Sequence, residues 1–363
     1  MKKGSTIEQL ATKLADIRDN SRDFIVPTSG IHSEVVNGRA DLIFTAGNEA
    51  LSVSPTNYAH GQVATYIGAP KQYYDKINTE NTHLLTQMIN HGLMFQASKL
   101  SKRGKSESRL IRSYNGDMRA LLSSSYRMLD CHDLMENVYP MIMDAGLELE
   151  SCELTERKMY LKLLSPRLKA DIKVGDTVQY GLVISGSDVG AGSIRIEPLN
   201  YHLVCGNGMI METALRKYHV GRNMAAQDSF EIMSDKTKAL TDAAFWNHVK
   251  DVLEHSLRED VFQAQVEMIR QASNEEITKE DIKVVIDDVA REIGVTREST
   301  KVSVLNYLAK GADGAGLNKW GLANGFTYAA QADDIDYEEA TELERAGAKV
   351  IDLSDSVWKK LAV

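Results

Sequence analysis

Proline is scarce in this chain, with 6 among 363 residues, and no low-complexity tract interrupts it, which argues against long disordered linkers. Cysteine is scarcer: Cys131, Cys152 and Cys205 are odd in number and lack metal-like spacing. Neither a disulfide framework nor a structural zinc site is expected, and a reducing cytoplasm fits. No apolar run approaches the roughly 20 residues that a membrane-spanning helix needs. Residues 1–19 lack the apolar centre of a secretory signal. A phosphate-binding G-x-x-x-x-G-K-[S/T] loop and an H-E-x-x-H metal motif are both missing. The G-x-x-x-G-x-G run over residues 186–192 lies between two strand patterns, without the helix start that would hold a pyrophosphate. No cofactor and no metal are therefore expected, and the chain reads as non-catalytic.

What is present centres on residues 178–211, VQYGLVISGSDVGAGSIRIEPLNYHLVCGNGMIM. Val178, Tyr180, Leu182 and Ile184 alternate, as do Ile194 and Ile196 beyond the glycine-rich turn, which is a hairpin signature. Asn37-Gly38 and Asn115-Gly116 mark two further turns. A helix is expected to begin near Ile210. Residues 234–293 turn to helical spacing, with a stripe from Ile282 to Ile293 stopped by Gly294 and Thr278 as the expected cap. The reading is α+β: a central antiparallel β-sheet with packed helices and a helical C-terminal region. Its expected divisions are an N-terminal α/β region over 1–97, a β-rich core over 98–233 and a mainly helical region over 234–363.

The chain carries a net charge of −9, yet from Lys99 to Arg127 eight basic residues face only Glu107 and Asp117. That segment is +6, leaving −15 elsewhere. Lys99, Lys102, Arg103, Lys105, Arg109, Arg112, Arg119 and Arg127 offer phosphate contacts, with Tyr114 and Tyr126 interleaved as stacking platforms. In a strand over 158–163, Lys158, Tyr160 and Lys162 share one face, opposite Met159, Leu161 and Leu163, and repeat this chemistry. A solvated surface loop is the plain alternative for such a charge run.

Cys205 and His202 invite a thiol–imidazole reading. On one extended strand, residues three apart face opposite sides, so the expectation is a small buried apolar cysteine. Asp130, His132 and Asp133 fall at an expected helix start, where capping accounts for them.

Four segments together, SSSYRMLDCHDL, VISGSDVGAGSIRIEP, YHLVCGNGM and NKWGLANGFTYAA, resemble the ordered signatures of a phage- and plasmid-like family, domain of unknown function nine-three-two. The resemblance implies a mobile-element origin and a bacterial cytoplasm, and it carries no catalytic residues. The order of strands followed by a helix over 147–215 is also similar to the β-β-β-α kernel of Rad-type single-strand annealing proteins. Together with the basic stripe, this gives the expectation of a homo-oligomer that binds and anneals single-stranded DNA. The alternatives are a non-enzymatic protein-binding module and, third, an enzyme using Cys205.

Overall fold

Two sheets organise the computed structural model, which describes residues 1–101, 107–211, 235–311 and 316–363. The chain enters through α1 (Ile7–Asn20), capped by Thr6, and β1 (Ser21–Pro27). Next come β2 (His32–Val36), β3 (Arg39–Ala46) and β4 (Glu49–Pro55), then helices α2 (Asn57–Ile67), α3 (Lys71–Glu80) and α4 (Thr82–Ser101). The hairpin β5 (Ser108–Tyr114) and β6 (Asp117–Ser123) follows. Asn37-Gly38 and Asn115-Gly116 each hold two consecutive positive φ angles, 50° and 77° in the first and 49° and 87° in the second. That backbone matches the twist of the strands it joins. β1 pairs with β5 and β4 runs parallel to β6, so the order is β1-β5-β6-β4-β3-β2. Leu42, Phe44, Val63, Tyr74, Ile89 and Ile111 form the core between this sheet and its helices.

The second sheet is antiparallel. It follows α5 (Cys131–Asp144) and contains β7 (Glu148–Leu154), β8 (Met159–Lys173), β9 (Asp176–Gly186), β10 (Arg195–His202) and β11 (Asn207–Ile210). Their spatial order is β11-β10-β9-β8-β7. Helices α6 (Asp235–Ser256), α7 (Glu259–Asn274), α8 (Ile282–Ile293), α9 (Glu298–Ala309), α10 (Lys319–Ala329), α11 (Tyr337–Ile351) and α12 (Asp355–Ala362) complete the chain. One face of the sheet meets α7, where Tyr180 and Phe262 rings lie 5.1 Å apart. The other meets α11, where Tyr160 and Tyr337 rings lie 5.7 Å apart. With both faces covered, β9 is almost wholly buried. Gly181 is obligatory there: an added Cβ would lie 1.9 Å from the Leu163 carbonyl oxygen.

The α+β reading and the glycine-rich hairpin hold. Three details differ. Residues 108–123 belong to the first sheet rather than to a central core, because β1 and β4 supply their partners. Residues 207–210 are a strand paired to β10, not a helix start; residues 212–215 lie outside the described residues. The cap of α8 is Asp281, whose side chain accepts from the amides of Lys283 and Val284, in place of Thr278.

Candidate functional site

The arginines of the basic stripe turn towards carboxylates contributed by distant segments. Arg112 is buried on β5 directly opposite Asp23 of β1, and its Nε donates to Asp23 Oδ1 at 3.0 Å. Its two terminal nitrogens grip Asp130 at 2.6 and 2.7 Å, and one also reaches the Asp188 carbonyl at 2.9 Å. Burial works against that charge, but Asp130 and Asp23 more than reverse it, so the guanidinium stays protonated. Arg119 meets the buried Asp188 carboxylate at 3.2 Å. Arg109 pairs with Glu107 at 3.2 Å and lies 3.8 Å over the Tyr66 ring. Arg127 pairs with Asp242 and lies 4.9 Å over Phe245. Around Arg112 the pairs fasten the first sheet to α5 and to the β9–β10 turn.

The strand face predicted to be open is closed by α11. Lys162 and Glu344 are both 0% exposed and 2.5 Å apart. Burial lowers the lysine's pKa, and Glu344 opposes that shift. Tyr160 is 1% exposed, so its ring cannot stack on a base. Tyr126 donates to the Ser187 carbonyl at 3.1 Å, and Tyr114 donates to Asp16. Lys99 is exposed near the end of α4, and Lys158 is half-buried. Lys102, Arg103 and Lys105 lie outside the described residues. Among the described residues the predicted ones do not assemble into one track, and Arg109, Arg112, Arg119, Arg127 and Lys162 each meet a carboxylate where they stand.

A different cluster gathers at the far end of the second sheet. β10 ends at His202, and residues 203–206 turn the chain into β11, with Gly206 at φ 65° and its amide bonded to the His202 carbonyl at 2.9 Å. The turn folds Cys205 back under the imidazole, so the alternation rule for an extended strand does not apply: Sγ lies 2.5 Å from His202 Nδ1. Val178 is the cross-strand partner of His202, and Asp176, two residues earlier, shares its face. Asp176 Oδ1 comes within 2.7 Å of His202 Nε2, close enough for a charge contact but out of line for a hydrogen bond. Its other oxygen accepts from Trp320 Nε1 at 2.9 Å. Asn207 Nδ2 donates to Cys205 Sγ at 3.2 Å. His202 and Asp176 are buried, whereas Cys205 is partly exposed beside Leu203 and Val204, which are 42% and 48% exposed.

The other two thiols make a contrast. Burial, with Asp188 next in weight, raises Cys131 well above the usual thiol range. Burial and Glu153 push Cys152 up to about 11. Neither is hydrogen-bonded to an imidazole: Cys152 Sγ donates to the Ser5 carbonyl at 3.1 Å, and Cys131 meets Asp188. Sequence reasoning missed Asp176, Asn207 and Trp320 altogether. The signal at hand was Gly206-Asn207-Gly208, which ends the strand before Cys205 instead of after it.

His132, Asp133 and Glu136 on α5 lie close enough to share a cation. Arg18 Nη1 sits 2.9 Å from His132 Nε2, however, and puts a positive charge where the ion would go. None of the described helices is long and apolar enough to cross a membrane. No protein-family profile, curated protein or solved structure matches this chain.

Proposed function

We propose that this chain is a thiol-dependent enzyme that transfers or hydrolyses acyl groups, with Cys205 as nucleophile and His202 as its base. This departs from the expected non-catalytic reading. The single observation behind it is the 2.5 Å approach of a partly exposed thiol to a buried imidazole that also touches a carboxylate. Nucleophile, base and orienting acid in that order are the arrangement that thiol catalysis needs.

The chemistry follows from the contacts. Cys205 gives its proton to His202 Nδ1, and the thiolate forms a bond to a carbonyl carbon. Charge moves onto the carbonyl oxygen, next to the Asn207 Nδ2 donor that already points at the sulfur. His202 then returns the proton to the leaving heteroatom as its bond to carbon breaks, which leaves a thioester. Water or an acceptor nucleophile, deprotonated by His202, releases the acyl group and restores the thiol. Asp176 stabilises the imidazolium in both halves, and the Trp320 indole fixes Asp176. Leu203 and Val204 offer apolar surface to the group beside the carbonyl.

Iodoacetamide labelling and p-nitrophenyl acetate turnover test this. Cys205 is expected to alkylate before Cys131 and Cys152, and wild type to release a burst of nitrophenolate that Cys205→Ser lacks. His202→Ala should slow alkylation at pH 7 by roughly tenfold. Alkylation at the rate of an ordinary thiol, unchanged in His202→Ala, would sink the reading.

A further inference from the structure

β10 joins two chemically different ends of the second sheet. His202 marks the thiol end. Arg195 marks the other, about 23 Å away for a strand rising roughly 3.3 Å per residue. At this second end, β9 and β10 are linked by residues 187–194, and the residues just before β8 pack against that link. Ser187 Oγ donates to the Arg157 carbonyl at 2.7 Å and accepts from the Ala191 amide at 2.9 Å, so turn and strand start are tied together.

Lys158, just before β8, packs against this turn. A Cβ on Gly192 would be 3.4 Å from Lys158 Cε and 3.8 Å from its Nζ, so the ammonium rests against an exposed glycine. Among the described residues no carboxylate is within ion-pair distance of Lys158 Nζ. The acids around it are committed elsewhere. Glu197 is held by Arg345 at 3.0 and 2.6 Å, and Glu342 by Arg345 at 2.7 Å. Glu338 faces Arg157 at 3.0 Å, and Glu156 accepts from the Tyr58 amide at 2.8 Å. Arg195 is 41% exposed and only within 3.9 Å of the already occupied Glu197. Arg157 is 49% exposed and lies 5.3 Å over the Tyr58 ring.

We propose that Lys158 and Arg195, on either side of the Gly190–Gly192 turn and flanked by Arg157, form a binding site for a phosphate group. A half-buried ammonium without its own anion is poorly placed until one arrives. Burial and then the nearby Arg345 lower its pKa, the direction that an incoming anion would reverse. A tetrahedral anion has oxygens enough to meet an ammonium on one side and a guanidinium fork on the other. Gly192 has no side chain of its own to stand beside the ammonium. Among the described residues singled out for nucleic acid, Lys158 is thus the one set beside two further cations, and its partners Arg195 and Arg157 lie outside the basic stripe.

The phosphate could belong to a small molecule or to a strand, and the arms of one experiment separate these sources. With the full chain in 50 mM salt, calorimetry with pyrophosphate would be run beside anisotropy of a labelled 20-mer of oligo(dT). Binding of pyrophosphate, with the 20-mer no tighter, assigns a small phosphorylated ligand. Tight 20-mer binding displaced by pyrophosphate assigns a strand. In either case Lys158→Gln/Arg195→Gln should weaken binding at least tenfold, while Lys99→Gln leaves it unchanged. For a strand, the double variant should also flatten the salt dependence by roughly 1.4 in log–log slope, about 0.7 per lost cation. Circular dichroism melting of the variant checks that it is folded. No binding of either probe, or equal binding by a folded double variant, would overturn the site.

Discussion

Opposite faces of the same five-stranded sheet bury ionisable groups to opposite ends. On the α11 face, Lys162 and Glu344 are sealed from solvent and matched charge for charge. On the other, Cys205 and His202 share a proton-transfer distance, with Asp176 behind them and Cys205 itself partly exposed. The first arrangement can only hold the helix to the sheet. The second sets a thiol next to an imidazole in a partly exposed turn, the pair on which the proposed thiol chemistry rests. The same contrast separates Arg112, gripped by Asp23 and Asp130, from Lys158, which has no carboxylate of its own. A positive residue in a basic run says little until its neighbours from other segments are known.

Four measurements would sharpen or break this comparison. The largest change is expected from Lys162→Met, which strands Glu344 in the interior and should cost about 3–5 kcal/mol in urea unfolding. Adding Glu344→Leu should recover most of that loss, because the penalty comes from the unpaired charge. At the thiol end the free energy appears in rate instead. His202→Ala should lower acyl turnover on the order of 100-fold or more, while its urea midpoint moves less than that of Lys162→Met.

The third test uses pH. His60, bonded through Nδ1 to Tyr74 at 2.9 Å, has its pKa lowered to about 4, first by burial and then by Lys71. The unfolded chain takes up that proton near 6.5, so this contribution is whole above 6.5 and is lost as pH falls towards 4. With His60 partly exposed, a loss on the order of 2 kcal/mol is expected between pH 7 and 4, and His60→Gln should flatten it. The smallest effect is expected at Asp281, where Asp281→Ala removes the α8 cap and should cost about 1 kcal/mol in thermal unfolding.

Local chemistry was readable in the sequence wherever neighbours in the chain decide the outcome. Asn37-Gly38, Asn115-Gly116 and the Ile282–Ile293 stripe with its stop at Gly294 all appear where turn geometry and helical spacing put them. Pairings between distant segments were hidden. Nothing near Ser108 announces that β5 will lie beside β1, yet that pairing brings Asp23 to Arg112 and removes its charge from the surface. Alternation along Lys158, Tyr160 and Lys162 gave their shared face but not the helix that covers Tyr160 and Lys162, whose Glu344 lies 182 positions after Lys162. The thiol pair was missed for a local reason: period two was extended through residues that already belong to a turn.

Asp188 has a further consequence. The residue preceding α5, Asp130, gives no side-chain cap and is spent on Arg112. The Cys131 amide instead donates at 2.7 Å to Asp188, which lies 57 positions along the chain in the turn after β9. The opening coil of α5 is thus completed from outside. Its anchor arrives only when the later hairpin has closed, so helix and hairpin mature as one unit, and loosening the hairpin should fray the helix from its first residue.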